Sequence, residues 1–561
     1  MSRHRRIWLL LALAAALVTL AAAPLPHFDG DTMTYGRIAK NVLRSGEWLT
    51  LHHHQGWVVD KPPLTIWLMA VSLRVGGATD TALRLWQLLF ALGLAALVYG
   101  LARLAATREE GALAALIFLT TTQVFYQNLI PQQDVALTFF LALTLFEYLR
   151  YLRDGRRRSA ILMGLWLGLA ALTKGTIGVA AVGLIVAADL LLSWRSPVAF
   201  TAGANAPGHP AAPRRMIADA ALTITTCLLV AAPWFVIGIL RQGMPFVDTF
   251  FLRGTLGVGR FMQPLLAPPL PPWQAVLAYV PILALGMLPW TGLLPGAILE
   301  GWRALRMGPR PLRLLALWGG LYFLVLSLSP GDKVLRYLHA CYPPLAVFAA
   351  IFLTKVVDQP RRLRIPAAVS LAMALPGLAG VLWLVAGRFP REFQIYVPIL
   401  LPPLALLVGG VAAFAVQAFA GRGRQAVALL AATTLISYGV LEWTMVRRWE
   451  SLWPWGKVGE TIQRLYQPGD RIVVYPDPGV FSFAYYHLDP SPAVVADEGE
   501  LLRRWERERL FALLPLPVLE RIRGRAHPVV LVTMDSGWVL ATNTPVSAPQ
   551  PSTTGDPLRT P

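Results

Sequence analysis

The sequence predicts a polytopic α-helical membrane protein of about thirteen spans with a small α/β domain at its C-terminal end. Three observations predict it. Of the 561 residues, 55% are hydrophobic and only 14% are charged, where soluble domains carry about 25% charge. Long apolar runs recur along most of the chain, at a mean hydropathy of +0.53, and such runs read as membrane helices. From residue 447 the runs stop and a polar segment begins. A transmembrane β-barrel would show short alternating segments instead.

The candidate spans are 7–23, 82–105, 111–128, 132–152, 159–174, 176–194, 216–241, 273–298, 313–329, 335–355, 366–386, 393–419 and 425–446. The first, in "MSRHRRIWLLLALAAALVTLAAAPLP", imitates a signal peptide, but the spans that follow favour an uncleaved helix. Charge tests the list. With "RHRR" placed in the cytoplasm, the connections on that side are "TREE", "RDGRRR", "RSPVAF…APRR", "RALRMGPRPLR", "KVVDQPRRLR" and "GRGR". Each carries arginine, and the alternate connections hold fewer basic residues, as the positive-inside rule requires. The expectation is therefore a multi-pass protein of a bacterial-type cytoplasmic (inner) membrane, N-terminus inside and residues 447 onward outside. The net charge of +19 belongs to these anchors, so membrane lipids are expected partners and nucleic acid is not. Cys227 and Cys341 both sit in apolar runs, which argues against a thiolate metal site or a disulfide framework. No Walker-type or GxGxxG loop stands between a strand and a helix, so no nucleotide cofactor is expected.

The organisation predicted is a transmembrane domain over 1–446, an extracytoplasmic α/β domain over 447–542 and a disordered Pro/Ser/Thr-rich tail over 543–561. Within the tail domain, "GKVGETIQRLYQPGDRIVVYP" reads as an amphipathic helix, a turn and a strand. "DEGELLRRWERERL" reads as a helix with acids in its first turn, and "HPVVLVTMD" as a strand. Residues 24–81 form a long first outer loop. There Tyr35, Ile38, Ala39, Val42 and Leu43 follow Asp29 and Asp31 at helical spacing, so the Asp pair is expected to start a surface helix.

An ionisable group at membrane depth needs a partner or a function. Asp31 and Asp134 fall at the same outer boundary, Asp134 in the turn "NLIPQQDVALTFF". Each suits a helix N-terminus. Two carboxylates on one face can also activate a nucleophile or bind a divalent cation. Basic candidates on that side are Lys61, Arg253, Arg260, Lys333 and Arg336, which suit a lipid phosphate. In "DKPPL", Pro62 restricts Lys61 and both prolines fix φ, so Lys61 is held on a bend. His52, His53 and His54 are poor joint metal ligands, because neighbours on a strand point in opposite directions.

"DGDTMTYGRIA", "SGEW" and "DKPPLTIW" in the first loop, the outer-turn Asp134, "GLAALTKG" at 168–175, "LPW" at 288–290 and "SLSPGDKVLRYLHACYPPLA" at 327–346 form a set. That set resembles the GT-C glycosyltransferases of the aminoarabinose transferase and protein O-mannosyltransferase superfamily, over most of residues 1–446. The resemblance implies an inverting transfer of a sugar from a polyprenyl (undecaprenyl-type) phosphate to an envelope acceptor: lipid A, a glycan or a protein. It implies Asp31 as catalytic carboxylate, assisted by Asp134, with Asp29 and Tyr35 in support. Lys61 becomes a phosphate-contacting lysine with Asp60 beside it, where the family commonly has Glu. Arg260, Lys333 and Arg336 complete the donor-phosphate site, and Asp31 and Asp134 are the ligands if a divalent metal takes part. A transporter or flippase of a lipid-linked sugar is the rival reading. It calls for charges buried mid-span and helices broken in paired halves, whereas here the acids gather at one face, with Lys174 and Asp189 the main exceptions.

Overall fold

Apolar side chains with no water to meet bury against each other, and the backbone of each segment must then bond to itself. The chain accordingly opens with α1 (Arg3–Ala21), α2 (Gly30–Ser45), α3 (Leu64–Gly76), α4 (Asp80–Arg103), α5 (Arg108–Thr120), α6 (Thr122–Leu129), α7 (Gln133–Asp154), α8 (Arg157–Lys174), α9 (Thr176–Arg195) and α10 (Pro213–Gln242). Longer helices follow at Arg310–Leu328, Tyr342–Val356, Pro360–Val385, Val397–Phe419 and Gly423–Leu452. This is a computed structural model, and it describes every residue except 1–2, 26–29, 54–55, 58–60, 196–212, 253–270, 330–332, 387–393, 477, 489 and 545–561. The chain divides into two compact units. One holds Met1–Leu25, Ile38–Arg388 and Leu400–Glu442; the other holds Pro26–Arg37, Phe389–Ile399 and Trp443–Pro561.

Among the described residues, eight helices are long and apolar enough to cross a membrane, or nine if one bent pair counts as a single span. The thirteen expected spans are not reproduced by that measure, and two of the reasons are breaks. The run 111–128 stops at Thr121, whose ψ of 125° is extended, and restarts as α6. The run 273–298 becomes the helix Tyr279–Gly286, a break, and a helical stretch Trp290–Met307 turned by 117°. The breaks answer each other. The carbonyl of Leu288 accepts the Thr122 N–H at 2.8 Å and the Thr122 hydroxyl at 3.0 Å. Tyr438 donates its hydroxyl to the Thr120 carbonyl at 2.9 Å, and Trp290 its indole N–H to the Thr120 hydroxyl at 2.9 Å. Backbone groups freed by interrupting a helix are thereby satisfied inside the bundle.

Small residues let α8 and α10 approach closely. A Cβ on Gly164 would lie 2.4 Å from the Thr223 carbonyl, and one on Gly168 would lie 2.7 Å from Val230 Cβ. This is the small-xxx-small device of membrane helix pairs. Arg84 of α4, fully buried, ties down the chain after α1. Its guanidinium donates to the carbonyls of Leu129 (2.9 Å), Ala22 (3.2 Å), Ala23 (3.0 Å) and Leu25.

In the first unit, strands β1 (His52–His53) and β2 (Gly56–Trp57) pair with each other; in the second unit, strands β3 (Arg471–Val474), β4 (Ala493–Val494), β5 (Leu510–Pro515), β6 (Val529–Thr533) and β7 (Trp538–Thr542) form a mixed sheet ordered β4-β3-β5-β7-β6. Strand β3 is parallel to β4 and β5, while β7 is antiparallel to β5 and β6. Alternation along the strands buries both faces. Ile472, Val474, Phe511, Leu513 and Leu540 pack with Trp455, Val458 and Ile462 of the helix Trp455–Leu465. Val473, Leu510, Ala512, Leu514, Val539 and Ala541 pack with Leu501, Trp505, Leu519 and Ile522 on the other side. The helix expected from "DEGELLRRWERERL" is Glu498–Arg507, capped by the Asp497 carboxylate accepting the Glu500 N–H at 2.8 Å.

Replacing Arg84 with Met removes the donor from several backbone carbonyls at once. Each buried carbonyl left bare costs about 1–3 kcal/mol, so the expected loss of stability exceeds about 3 kcal/mol. Thermal unfolding in detergent measures it.

Candidate active site

Two helix ends meet around a buried ion pair. Asp134 lies in the first turn of α7 and is 5% exposed. Lys174 is the last residue of α8, which stops because Gly175 adopts a φ of 69°. The Lys174 ammonium donates from Nζ to Asp134 Oδ1 at 2.5 Å. An acid at a helix N-terminus and a base at a C-terminus each sit favourably in the helix dipole, so pairing and dipoles reinforce each other. A 3-10 turn, Leu335–Cys341, brings a second cation: Arg336 Nε stands 3.8 Å from Asp134 Oδ2. The Tyr337 ring lies under both, with its centre 4.3 Å from Lys174 Nζ and 5.8 Å from the Arg336 guanidinium carbon. Two residues on, fully buried His339 places Nδ1 3.0 Å from the Thr138 hydroxyl. That hydroxyl in turn donates to the Asp134 carbonyl at 2.7 Å.

The other expected residues fall as follows. Asp31 is in the first turn of α2, exposed, and Tyr35 is buried one turn later. Both belong to the second unit, whereas Asp134, Lys61, Lys333 and Arg336 belong to the first. Lys61 is half-buried ahead of two buried prolines, and Pro63 serves as the N-cap of α3, as the "KPP" bend requires. Lys333 sits at a helix end. Its ammonium donates to the carbonyls of Leu326 (2.8 Å), Ser327 (3.2 Å) and Ser329, at the end of the helix Arg310–Leu328. Three donors meet three acceptors, so this lysine caps a helix, and burial pulls its pKa below that of a free lysine. Asp29, Asp60, Arg253 and Arg260 lie outside the described residues, as does His54.

Residues that sequence reading passed over complete the site. Lys174 stood out only as a charge in an apolar run, and His339, Thr138 and Tyr337 gave no separate signal. Glu47 of "SGEW" is fixed by its own set of bonds in the first unit. Its carboxylate accepts the Thr50 and Leu49 N–H groups and pairs with Arg241 at 2.9 Å, and these bonds, the Thr50 one foremost, hold its pKa below the usual carboxylate range.

Asp134 is already engaged by an ammonium and a guanidinium, and among the described residues no group of three or more His, Cys, Asp or Glu side chains is placed to ligate one. His52 and His53 instead form a two-residue strand paired with Gly56–Trp57.

Comparison with known proteins gives one consistent neighbourhood. The family described as dolichyl-phosphate-mannose-protein mannosyltransferase matches residues 60–206. An undecaprenyl phosphate-alpha-4-amino-4-deoxy-L-arabinose arabinosyl transferase of Sodalis glossinidius is 30% identical over 401 residues, covering 70% of this chain and 67% of that protein. The enzyme of that name from Edwardsiella ictaluri is 27% identical over 385 residues, covering 67% of this chain and 65% of that protein. The chain thus spans about two thirds of the length of these relatives. The crystal structure of ArnT from Cupriavidus metallidurans bound to undecaprenyl phosphate superposes with a TM-score of 0.74 at 19% identity, over 97% of this chain and 99% of that one. That last likeness is one of fold.

Removing one partner of a buried ion pair costs about 3–5 kcal/mol, because the other charge stays buried. Asp134→Asn and Lys174→Met are each expected to cost that much. The double variant should cost at least about 2 kcal/mol less than their sum. A double-mutant cycle on thermal unfolding checks this, and simple additivity would refute the pair.

Proposed function

This chain belongs to the family of undecaprenyl phosphate-aminoarabinose arabinosyl transferases, and from that premise we propose that it transfers a sugar from a polyprenyl phosphate to an envelope acceptor. The chain is a multi-pass membrane protein of this type. The transfer takes place at the outer face of the cytoplasmic membrane, with the N-terminus inside and the sheet-bearing unit outside, as the basic connections require. Lipid A, another glycan and a protein are the acceptors to compare. A lipid carrier fits the address, since a nucleotide sugar is absent beyond the membrane and no nucleotide loop is present in the sequence.

One observation carries the reading: a single buried carboxylate, Asp134, is held between two cations, Lys174 and Arg336, at the end of α7. The three residues sum to one positive charge, complementary to the single negative charge of a lipid phosphodiester. Lys61, on its proline-fixed bend, is the second contact to that phosphate, and Arg260 is a third to be tested.

The chemistry is a direct displacement. The acceptor hydroxyl oxygen forms a bond to the anomeric carbon as the bond from that carbon to the phosphate oxygen breaks. The electron pair leaves with the polyprenyl phosphate, and the hydroxyl proton passes to Asp31. Attack from the side opposite the phosphate inverts the anomeric centre. Arg336 and Lys61 stabilise the charge that grows on the departing phosphate. Asp134, paired with Lys174, aims Arg336 and does not serve as the base.

A labelled undecaprenyl-phosphate aminoarabinose, given to the purified protein with lipid A, tests this. Asp31→Asn is expected to lower transfer by about 100-fold or more, in line with the loss of a general base, while lipid binding persists. Lys61→Ala is expected to raise the KM for the donor. Unchanged transfer in Asp31→Asn would remove the catalytic assignment, and lipid translocation without any transfer by wild type would favour a flippase.

A further inference from the structure

The helices that frame Asp134 also carry buried polar atoms that no group among the described residues satisfies. They are the amide nitrogens of Gln123, Gln127 and Gln133, both side-chain polar atoms of Asn128, His339 Nε2 and the Tyr342 hydroxyl. None of these residues is more than 7% exposed. Bundles of membrane helices avoid such atoms, because hydrocarbon offers no partner. A set of them on the elements around Asp134 calls for a polar guest.

Geometry groups them. Gln123 and Gln127 lie one turn apart on α6 and share a face. A Cβ built on Gly286 would fall 2.1 Å from the Tyr342 hydroxyl and 3.0 Å from Gln123 Cβ, so these two side chains meet across the bare glycine. His339 belongs to the same 3-10 turn as Arg336 and Tyr337. Its tautomer follows from its neighbour. The Thr138 hydroxyl has one proton and donates it to the Asp134 carbonyl. Facing His339, that oxygen can only accept, so Nδ1 carries the ring proton and Nε2 of the neutral ring presents a lone pair.

The set therefore offers several amide donors, a hydroxyl and one ring-nitrogen acceptor, all uncharged. A phosphate needs cations, and an apolar tail needs none of this. Vicinal hydroxyls, each both donor and acceptor, fit it. We propose that Gln123, Gln127, Tyr342 and His339 form a wall that binds the sugar of the lipid-linked donor, with His339 Nε2 accepting from one hydroxyl or amine of that sugar. This rests on the transfer reading above and assigns the residues that select the sugar.

The test uses the purified full chain and two probes, undecaprenyl phosphate and the same lipid carrying aminoarabinose, titrated by native mass spectrometry. Gln123→Met and Tyr342→Phe delete atoms that have no protein partner, so neither should lower the melting temperature. His339→Asn keeps a donor towards Thr138 and removes Nε2. Each variant is expected to weaken binding of the sugar-bearing lipid about tenfold or more and to leave the bare lipid unchanged. Wild-type affinity for both lipids in all three variants would mean that water alone satisfies these atoms, and would overturn the wall. Equal weakening for both lipids with a lowered melting temperature would make the residues structural, and would also overturn it. A wild type that binds the two lipids equally overturns the wall but spares the phosphate site. A wild type that binds neither overturns the transfer reading itself.

Discussion

The pair of Asp134 and Lys174 is the constraint on which the rest of the membrane unit turns. A charge at this depth is tolerated only with a partner, and here the partner comes from the neighbouring helix. The requirement brings the start of α7 to the end of α8. It sets where α8 stops, at the left-handed Gly175. It gives the 3-10 turn of Arg336, Tyr337 and His339 a fixed electrostatic reference: the guanidinium faces the carboxylate, the tyrosine ring lies under both cations, and the histidine grips Thr138 one turn along α7.

Much of the fold was legible in the chain because apolar periodicity survives any tertiary arrangement. The helices, their basic connections and the mixture of helix and strand beyond residue 447 all follow from local pattern. The two broken spans do not. Nothing in "LIFLTTTQVFYQNLI" says that the helix should stop at Thr121, because the reason is the Leu288 carbonyl far along the chain. The site divides the same way. Asp134 is visible as an acid at a membrane boundary, and Lys61 as a lysine fixed by prolines. Lys174 and His339 look like accidents in greasy segments until the fold supplies their partners. Lys333 shows something else the pattern does not tell: its ammonium caps the end of the neighbouring helix.

Three other buried acids separate enzyme-like from carrier-like organisation. Asp189 is fully buried but bound by Arg310 at 2.8 Å, Arg313 at 3.2 Å and the Tyr148 hydroxyl at 2.9 Å. Asp219 is paired with Arg157 and Glu300 with Arg303 and Lys355. These pairs gather at the connections that charge counting assigns to the cytoplasm, at the end of the helices away from Asp134. Locked pairs of this kind tie helices together, which suits a rigid scaffold with chemistry at its opposite face.

The interlock of Thr122 with Leu288 has a consequence for how such a chain can change over time. A carbonyl freed by one interrupted helix is answered by an amide and a hydroxyl freed by another, so neither interruption can be repaired alone. Healing the break before Thr122 would strand the Leu288 oxygen, and straightening the later helix would strand the Thr122 amide. The two positions are therefore inherited as one character. Divergent descendants of this fold should either keep both interruptions or lose both together, and the polar face of α6 should go with them.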